Sequence, residues 1–154
     1  MTSKETKLCL VCSSGGHFLE LFLLNRSWRQ YPHFWVTFDS EDTCSLLEED
    51  KAYWAFSPTN RNIFNFIKNL WLARRILSHE RPDFIVSTGA GIAVPFAIIG
   101  KLFRIKVIYI ESLARVENLS LSGKIIYFFA DEFIVRWPQL ALRFKKAKYV
   151  GALS

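Results

Sequence analysis

Short, almost unbroken apolar runs recur along the chain at Leu8–Cys12, Trp35–Phe38, Phe84–Ser87, Val107–Ile110 and Phe133–Val135, with weaker ones at Tyr53–Phe56 and Lys148–Val150. Runs of this length, apolar at successive positions, predict strands buried on both faces. Between them lie helix-length stretches: His17–Arg29, Ser40–Glu49, Asn62–His79, Gly91–Phe103, Leu121–Phe129 and Pro138–Phe144. Strand and helix alternate throughout, which predicts a parallel sheet covered by helices on each side. The expected fold class is α/β, Rossmann-like. No internal repeat, low-complexity tract or Gly/Ser linker interrupts the pattern, so residues 1–154 read as one domain.

In doubly wound sheets ligands bind beyond the carboxyl ends of the strands. Three loops that follow strands therefore carry the candidate chemistry. The first is Ser13-Ser14-Gly15-Gly16-His17. Glycines allow positive φ and close approach of backbone N–H groups, and the helix that follows presents its positive end, so this loop suits a diphosphate. His17 falls in the first helical turn, where a neutral imidazole would accept a proton. A tight strand-to-helix turn with a capping histidine is the plainer alternative.

The second loop runs from Ser87 to Pro95 and contains Gly89, Ala90 and Gly91. Val94 stands where a dinucleotide fingerprint needs glycine or alanine, and the loop is not in the first βα unit, so nicotinamide binding is not expected. A second phosphate-facing backbone loop is the functional reading, and close helix packing the structural one. The third loop, Glu111 to Asn118, places a carboxylate directly at a strand end, pointing into the crevice, with Arg115 to pair with it or with a ligand phosphate.

Composition narrows the partners. The net charge of +6 on a chain that is 51% hydrophobic and 16% aromatic favours an anionic partner: nucleic acid, a phosphorylated ligand or an acidic membrane. The basic residues form no nucleic-acid module, and much of the aromatic content lies in apolar runs. Three histidines in separate segments, without ligand spacing, give no metal site. Cys9 and Cys12 lie within a strand on opposite faces, which predicts buried thiols and not a redox pair. No segment is long and apolar enough to span a bilayer, and MTSKETK is too short and polar for a signal peptide, so the expected location is cytosolic.

Taken together, SSGGH, STGAGIAVP and ESLARVENLSLSG, in this order and spacing, resemble the acceptor-side half of a GT-B glycosyltransferase. They look most like the bacterial polysaccharide-biosynthesis subunits called PssD or CpsF. Those are similar to the eukaryotic membrane-anchored subunit that, with a separate catalytic partner, adds the second GlcNAc to the dolichol-linked oligosaccharide. More distantly the loops resemble the N-terminal half of MurG, from which this chain departs at Ile110, a histidine there, and at Ser112, a glutamine there. The resemblance spans roughly Lys7 to Leu153.

That resemblance implies half an active site, with a UDP-sugar donor held by a separate PssE/CpsG-type protein and no bound cofactor. The acceptor would be a polyprenyl-diphosphate-linked saccharide in capsule or exopolysaccharide synthesis. His17 is the candidate general base and Glu111 its rival, or the group that orients the acceptor. Ser13, Ser14, Gly15, Gly16, Gly89, Gly91, Arg115 and Asn118 would hold phosphate or sugar groups. The segment Tyr149–Leu153 would dock onto the donor subunit, or close this chain's own sheet. The competing reading is a non-catalytic membrane anchor or activator of a separately competent transferase.

A polyprenyl acceptor directs attention to "NIFNFIKNLWLARRIL", Asn62–Leu77. Ile63, Phe66, Ile67 and Leu70 read as its core stripe. Phe64, Trp71 and Leu72 lie partly outside that stripe, beside Arg61, Lys68, Arg74 and Arg75, a mixture suited to peripheral contact with the cytoplasmic face of an anionic membrane. The first helix, with Phe18, Leu19, Leu21, Phe22, Leu23 and Leu24, covers more than one face and is either buried or partly in lipid.

Overall fold

The computed structural model describes residues 4–151. In chain order the elements are β1 (Leu8–Cys12), α1 (Gly16–Leu23), α2 (Asn25–Trp28), β2 (His33–Thr37), α3 (Glu41–Leu46), β3 (Ala52–Trp54) and α4 (Ile63–Glu80). There follow β4 (Phe84–Gly89), α5 (Ala93–Leu102), β5 (Lys106–Ile110), α6 (Leu121–Ile126), β6 (Glu132–Val135), α7 (Pro138–Arg143) and β7 (Ala147–Tyr149). The strands form one sheet in the order β3-β2-β1-β4-β5-β6-β7, and every pair is parallel. The chain builds outward from β1 to β3, crosses back through α4, and builds outward again from β4. The order therefore reverses between β1 and β4, where the connecting loops splay apart and leave a crevice at the carboxyl ends.

Alternation along each strand divides the core in two. Cys9, Val11, Phe34, Val36, Val107, Tyr109 and Phe133 face the α4–α5 side, while Leu8, Leu10, Cys12 and Trp35 meet Phe18, Leu21 and Trp28 on the other. Cys9 and Cys12 thus belong to different faces, both buried as free thiols, and burial raises the pKa of each. Cys44 is exposed.

Three expectations need adjustment. The stretch His17–Arg29 is two helices, because the Trp28 indole donates to the Leu21 carbonyl at 2.8 Å and packs edge-on against Trp35 at 5.3 Å, turning the chain at Leu24. The core face of α4 is only partly the one the apolar residues suggest: Phe66 packs half-buried against the core and Leu70 is half-buried, but Asn69, Ala73, Ile76, Leu77 and Glu80 are the buried residues, while Ile63 and Ile67 are 62% and 49% exposed. At the carboxyl end, Ala147–Tyr149 closes the sheet as its edge strand beside β6, with Tyr149 and Val150 exposed. Ala152 and Leu153 lie outside the described residues.

Candidate active site

A crevice of about 840 Å³ opens at the carboxyl ends of the central strands. Ser13, Ser14 and His17 line it from the loop after β1, Phe38 and Asp39 from the loop after β2, and residues 57–61 from the segment after β3. Ala90 and Gly91 follow from β4, and Ser112, Ala114, Arg115 and residues 120–122 from β5. Five separate connections thus converge on one space, as the switch point between β1 and β4 requires.

His17 is held in one orientation. Its Nδ1 lies 2.9 Å from the Thr88 carbonyl oxygen, and Thr88 Oγ1 donates back to the His17 carbonyl at 2.6 Å. A carbonyl only accepts, so the neutral ring carries its proton on Nδ1 and keeps the lone pair on Nε2. Gly89, at φ 119°, lies beneath the ring: a Cβ there would stand 3.3 Å from His17 Cε1 and 2.9 Å from the Tyr109 hydroxyl. The glycine leaves the imidazole room to lie against the β4 turn. Its own N–H donates to Ser87 Oγ at 3.1 Å, so Gly89 seats the histidine and has no N–H left for a phosphate.

Glu111 behaves differently from the expectation that it points into the crevice. It is fully buried, and its carboxylate turns back under the loop it begins. Oε1 accepts from Ser112 N at 3.1 Å, while Oε2 accepts from both the N–H and the hydroxyl of Ser120 at 3.0 Å. Ser120 in turn caps α6 by accepting from Gly123 N at 3.0 Å. A Cβ at Gly123 would lie 2.1 Å from Glu111 Oε2, so this arrangement demands glycine at 123. Beside it, burial first and the nearby Glu111 charge second raise the Tyr109 pKa. Glu111 thus closes the 112–120 loop and shapes the wall that carries Arg115.

Of the other residues singled out by sequence, Ser13, Ser14, Gly91 and Arg115 line the crevice. Gly15 and Gly16 are exposed at its rim, and the Gly15 N–H faces an Asp42 carboxylate oxygen at 3.4 Å. Gly91 admits Thr59, whose Oγ1 would lie 2.8 Å from a Cβ at that position. Asn118 is exposed on the third loop, away from the crevice lining, and Arg115 forms no ion pair with Glu111. The sequence offers no motif at Asp39 or residues 57–60, and it suggests Arg61 only as part of the basic flank of the membrane-facing helix, whereas all of them line the crevice. For Asp39 and residues 57–60 the only signal is position, directly after predicted strands.

The outer face of α4 carries the mixture expected of it. Phe64 and Trp71 are 75% and 67% exposed, joined by Ile63 and Ile67. Lys68, Arg74 and Arg75 flank them, with Arg74 over the Trp71 ring at 5.8 Å and Lys68 over Phe56 at 5.5 Å. Leu72, by contrast, is half-buried against the core. On α1, Leu19 and Leu23 are exposed while Phe18 and Leu21 are buried. Among the described residues no helix is long and apolar enough to cross a membrane.

The all-parallel sheet, its reversed strand order and the crevice define a Rossmann-like half of a GT-B fold. Solved structures share the architecture. MurG of Acinetobacter baumannii superposes with a TM-score of 0.73 at 16% identity, covering 87% of this chain and 42% of that one. The S. aureus MnaA structure with UDP gives 0.77 at 13% identity, covering 96% and 45%. The chain thus spans less than half the length of these proteins. By sequence, residues 8–153 match the family described as "Oligosaccharide biosynthesis protein Alg14 like". The chain is 44% identical to the UDP-N-acetylglucosamine transferase subunit alg14 of Schizosaccharomyces pombe, over 97% of this chain and 84% of that protein. It belongs to the Alg14-like family.

Proposed function

We propose that this chain is the acceptor-binding, membrane-associating subunit of a two-component GT-B glycosyltransferase. It presents a polyprenyl-diphosphate-linked saccharide to a UDP-sugar held by a separate donor-binding protein. UDP-GlcNAc is the donor suggested by the name of the Schizosaccharomyces relative. The finer reading is a bacterial one: a PssD/CpsF-type subunit working with a PssE/CpsG-type partner on undecaprenyl-linked capsule or exopolysaccharide precursors. In this reading residues 1–154 act as one unit that needs no cofactor of its own.

The observation that carries the proposal is the Thr88–His17 arrangement. A histidine whose Nδ1–H is tied to a carbonyl offers Nε2 as a base at the wall of an open crevice. Nε2 takes the proton of the acceptor hydroxyl as that oxygen attacks the anomeric carbon of the donor sugar. The C–O bond to the leaving diphosphate breaks, and UDP departs with the electron pair. Glu111, buried and holding Ser112 and Ser120, is a positioning residue for the loop facing the acceptor. The outer face of α4 rests on an anionic bilayer, its aromatic residues at headgroup level and its basic residues against lipid phosphates.

The test is transfer of radiolabelled sugar from a panel of UDP-sugars to a polyprenyl-diphosphate-linked acceptor, with this chain, its donor-domain partner, and both. Activity only in the mixture supports the split enzyme. Full activity from the partner alone supports the anchor reading, which the α4 face would serve by itself. For the membrane, sedimentation with vesicles containing anionic lipid is expected, weakened in Trp71→Glu and in neutral vesicles. Equal binding by wild type and W71E removes α4 from the interface.

A further inference from the structure

The crevice and the exposed face of α4 are joined by one short segment. Three asparagines of that helix region hold it. Buried Asn69 accepts from Phe56 N and donates to Phe56 O, both at 2.9 Å, Asn65 Nδ2 donates to the Pro58 carbonyl at 2.9 Å, and Asn62 caps the helix through Asn65 N. From the other side, Thr59 is seated against Gly91. The segment ends at Arg61, whose φ of 50° is a left-handed conformation that non-glycine residues adopt only when their surroundings impose it. Arg61 lines the crevice, and two residues later Ile63 and Phe64 begin the exposed apolar stripe.

The charges of the crevice are few. Arg61, Arg115 and Asp39 line it together with His17. Among the described residues neither guanidinium has a carboxylate within ion-pair distance. Two of the four glycine N–H groups that the motifs suggest for phosphate are already engaged: Gly89 N–H is bonded to Ser87, and Gly15 N–H faces the Asp42 carboxylate. An anionic group entering this crevice meets its positive charge on side chains, and arginine presents two parallel N–H donors to a phosphate where lysine presents a point charge.

We propose that Arg61, supported by Arg115, binds the diphosphate of the lipid-linked acceptor and so sets its register. The sugar then lies in the crevice toward His17 Nε2, and the polyprenyl chain leaves past Ile63 and Phe64 onto the face of α4. Arg61 is thus the residue that distinguishes a lipid diphosphate from a neutral glycoside. This rests on the reading that the acceptor binds in this crevice.

The experiment uses the assembled two-protein enzyme with phytanyl-diphosphate-linked GlcNAc, and Arg61→Asn and Arg61→Lys variants. Asparagine tolerates left-handed backbone, so R61N removes the charge and keeps the turn. The expected result is an acceptor KM raised about 10- to 100-fold in R61N and less in R61K, with donor KM unchanged. With an acceptor carrying one phosphate the penalty shrinks. An unchanged acceptor KM in R61N, or equal losses toward donor and acceptor, overturns the proposal. In parallel, calorimetric titration of the full chain with geranylgeranyl diphosphate separates the two readings. Binding lost in R61N without any sugar transfer by the wild-type enzyme leaves the Arg61 assignment standing and removes the transferase reading. Transfer with unaltered acceptor KM does the reverse.

Discussion

Two buried glutamates, at opposite edges of the same sheet, show how much partners matter to a carboxylate. Glu80 ends α4 at the amino edge and is met by Lys7 of the approach to β1, Lys51 before β3 and the Tyr53 hydroxyl. Burial works to raise its pKa, but hydrogen bonds from Lys51, Lys7 and Tyr53 prevail and hold it at about 2. Glu111, at the carboxyl edge, is buried as deeply and meets only neutral donors: two backbone N–H groups and a serine hydroxyl. The first acid joins three elements that already exist. The second organises a loop that has no regular structure of its own, and that loop is a wall of the crevice. The same residue type is a staple at one edge and a template at the other.

That contrast can be broken at several points. The largest effect belongs to neither acid: His17→Ala is expected to reduce kcat in the assembled enzyme by roughly 100-fold or more, the usual loss for a general base, with little change in the unfolding midpoint. Unchanged turnover would remove the base assignment. Glu111→Gln puts an amide donor among three donors, and is expected to cost about 2 kcal/mol and about tenfold in turnover. Gly123→Ala reaches the same defect from the other side, since its Cβ collides with Glu111 Oε2. If E111Q lowers turnover while G123A leaves it at the wild-type level, Glu111 acts on substrate directly and not through its loop.

Glu80→Gln is expected to lower stability by about 2 kcal/mol in urea denaturation and to leave transfer at 25 °C unchanged. The smallest effect is in pH dependence. Because the folded pKa of Glu80 lies at about 2, below the ordinary 4.5, its contribution is complete above pH 4.5 and disappears as pH falls through 2. Wild type should therefore lose more stability than E80Q between those limits. Parallel acid-denaturation curves for the two proteins would show that the Lys7–Lys51–Tyr53 cluster stabilises nothing.

The two glutamates also mark where the sequence was readable. The central strands were legible because they are apolar on both faces, and burial between two helical layers requires that and little else; the edge strands β3 and β7, with Trp54, Lys148 and Tyr149 exposed, gave the weaker signal. Helix α4 was legible as a helix but not in its rotation. Its core face includes Asn69 and Glu80, whose polar groups are satisfied by the Phe56 backbone and by Lys7, Lys51 and Tyr53, partners remote in the chain. Apolar periodicity counts such residues as outward and so points Ile63 and Ile67 inward, whereas they belong to the exposed stripe.

The same division runs through the site. Ser13, Ser14, His17, Gly91 and Arg115 could be picked from motifs because each follows a strand, and a parallel sheet gathers all such positions at one edge. That edge, the relationship to the Alg14-like family and His17 as a candidate base could all be read from the motifs. It takes the folded chain to show that Gly89 seats the imidazole, that Glu111 faces inward to Ser120, and that Arg61 stands between the crevice and the apolar face of α4. The physical reason is that a backbone pattern sets which edge a residue occupies. The direction of a polar side chain depends instead on which donors and acceptors the folded chain brings within 3 Å or so of it.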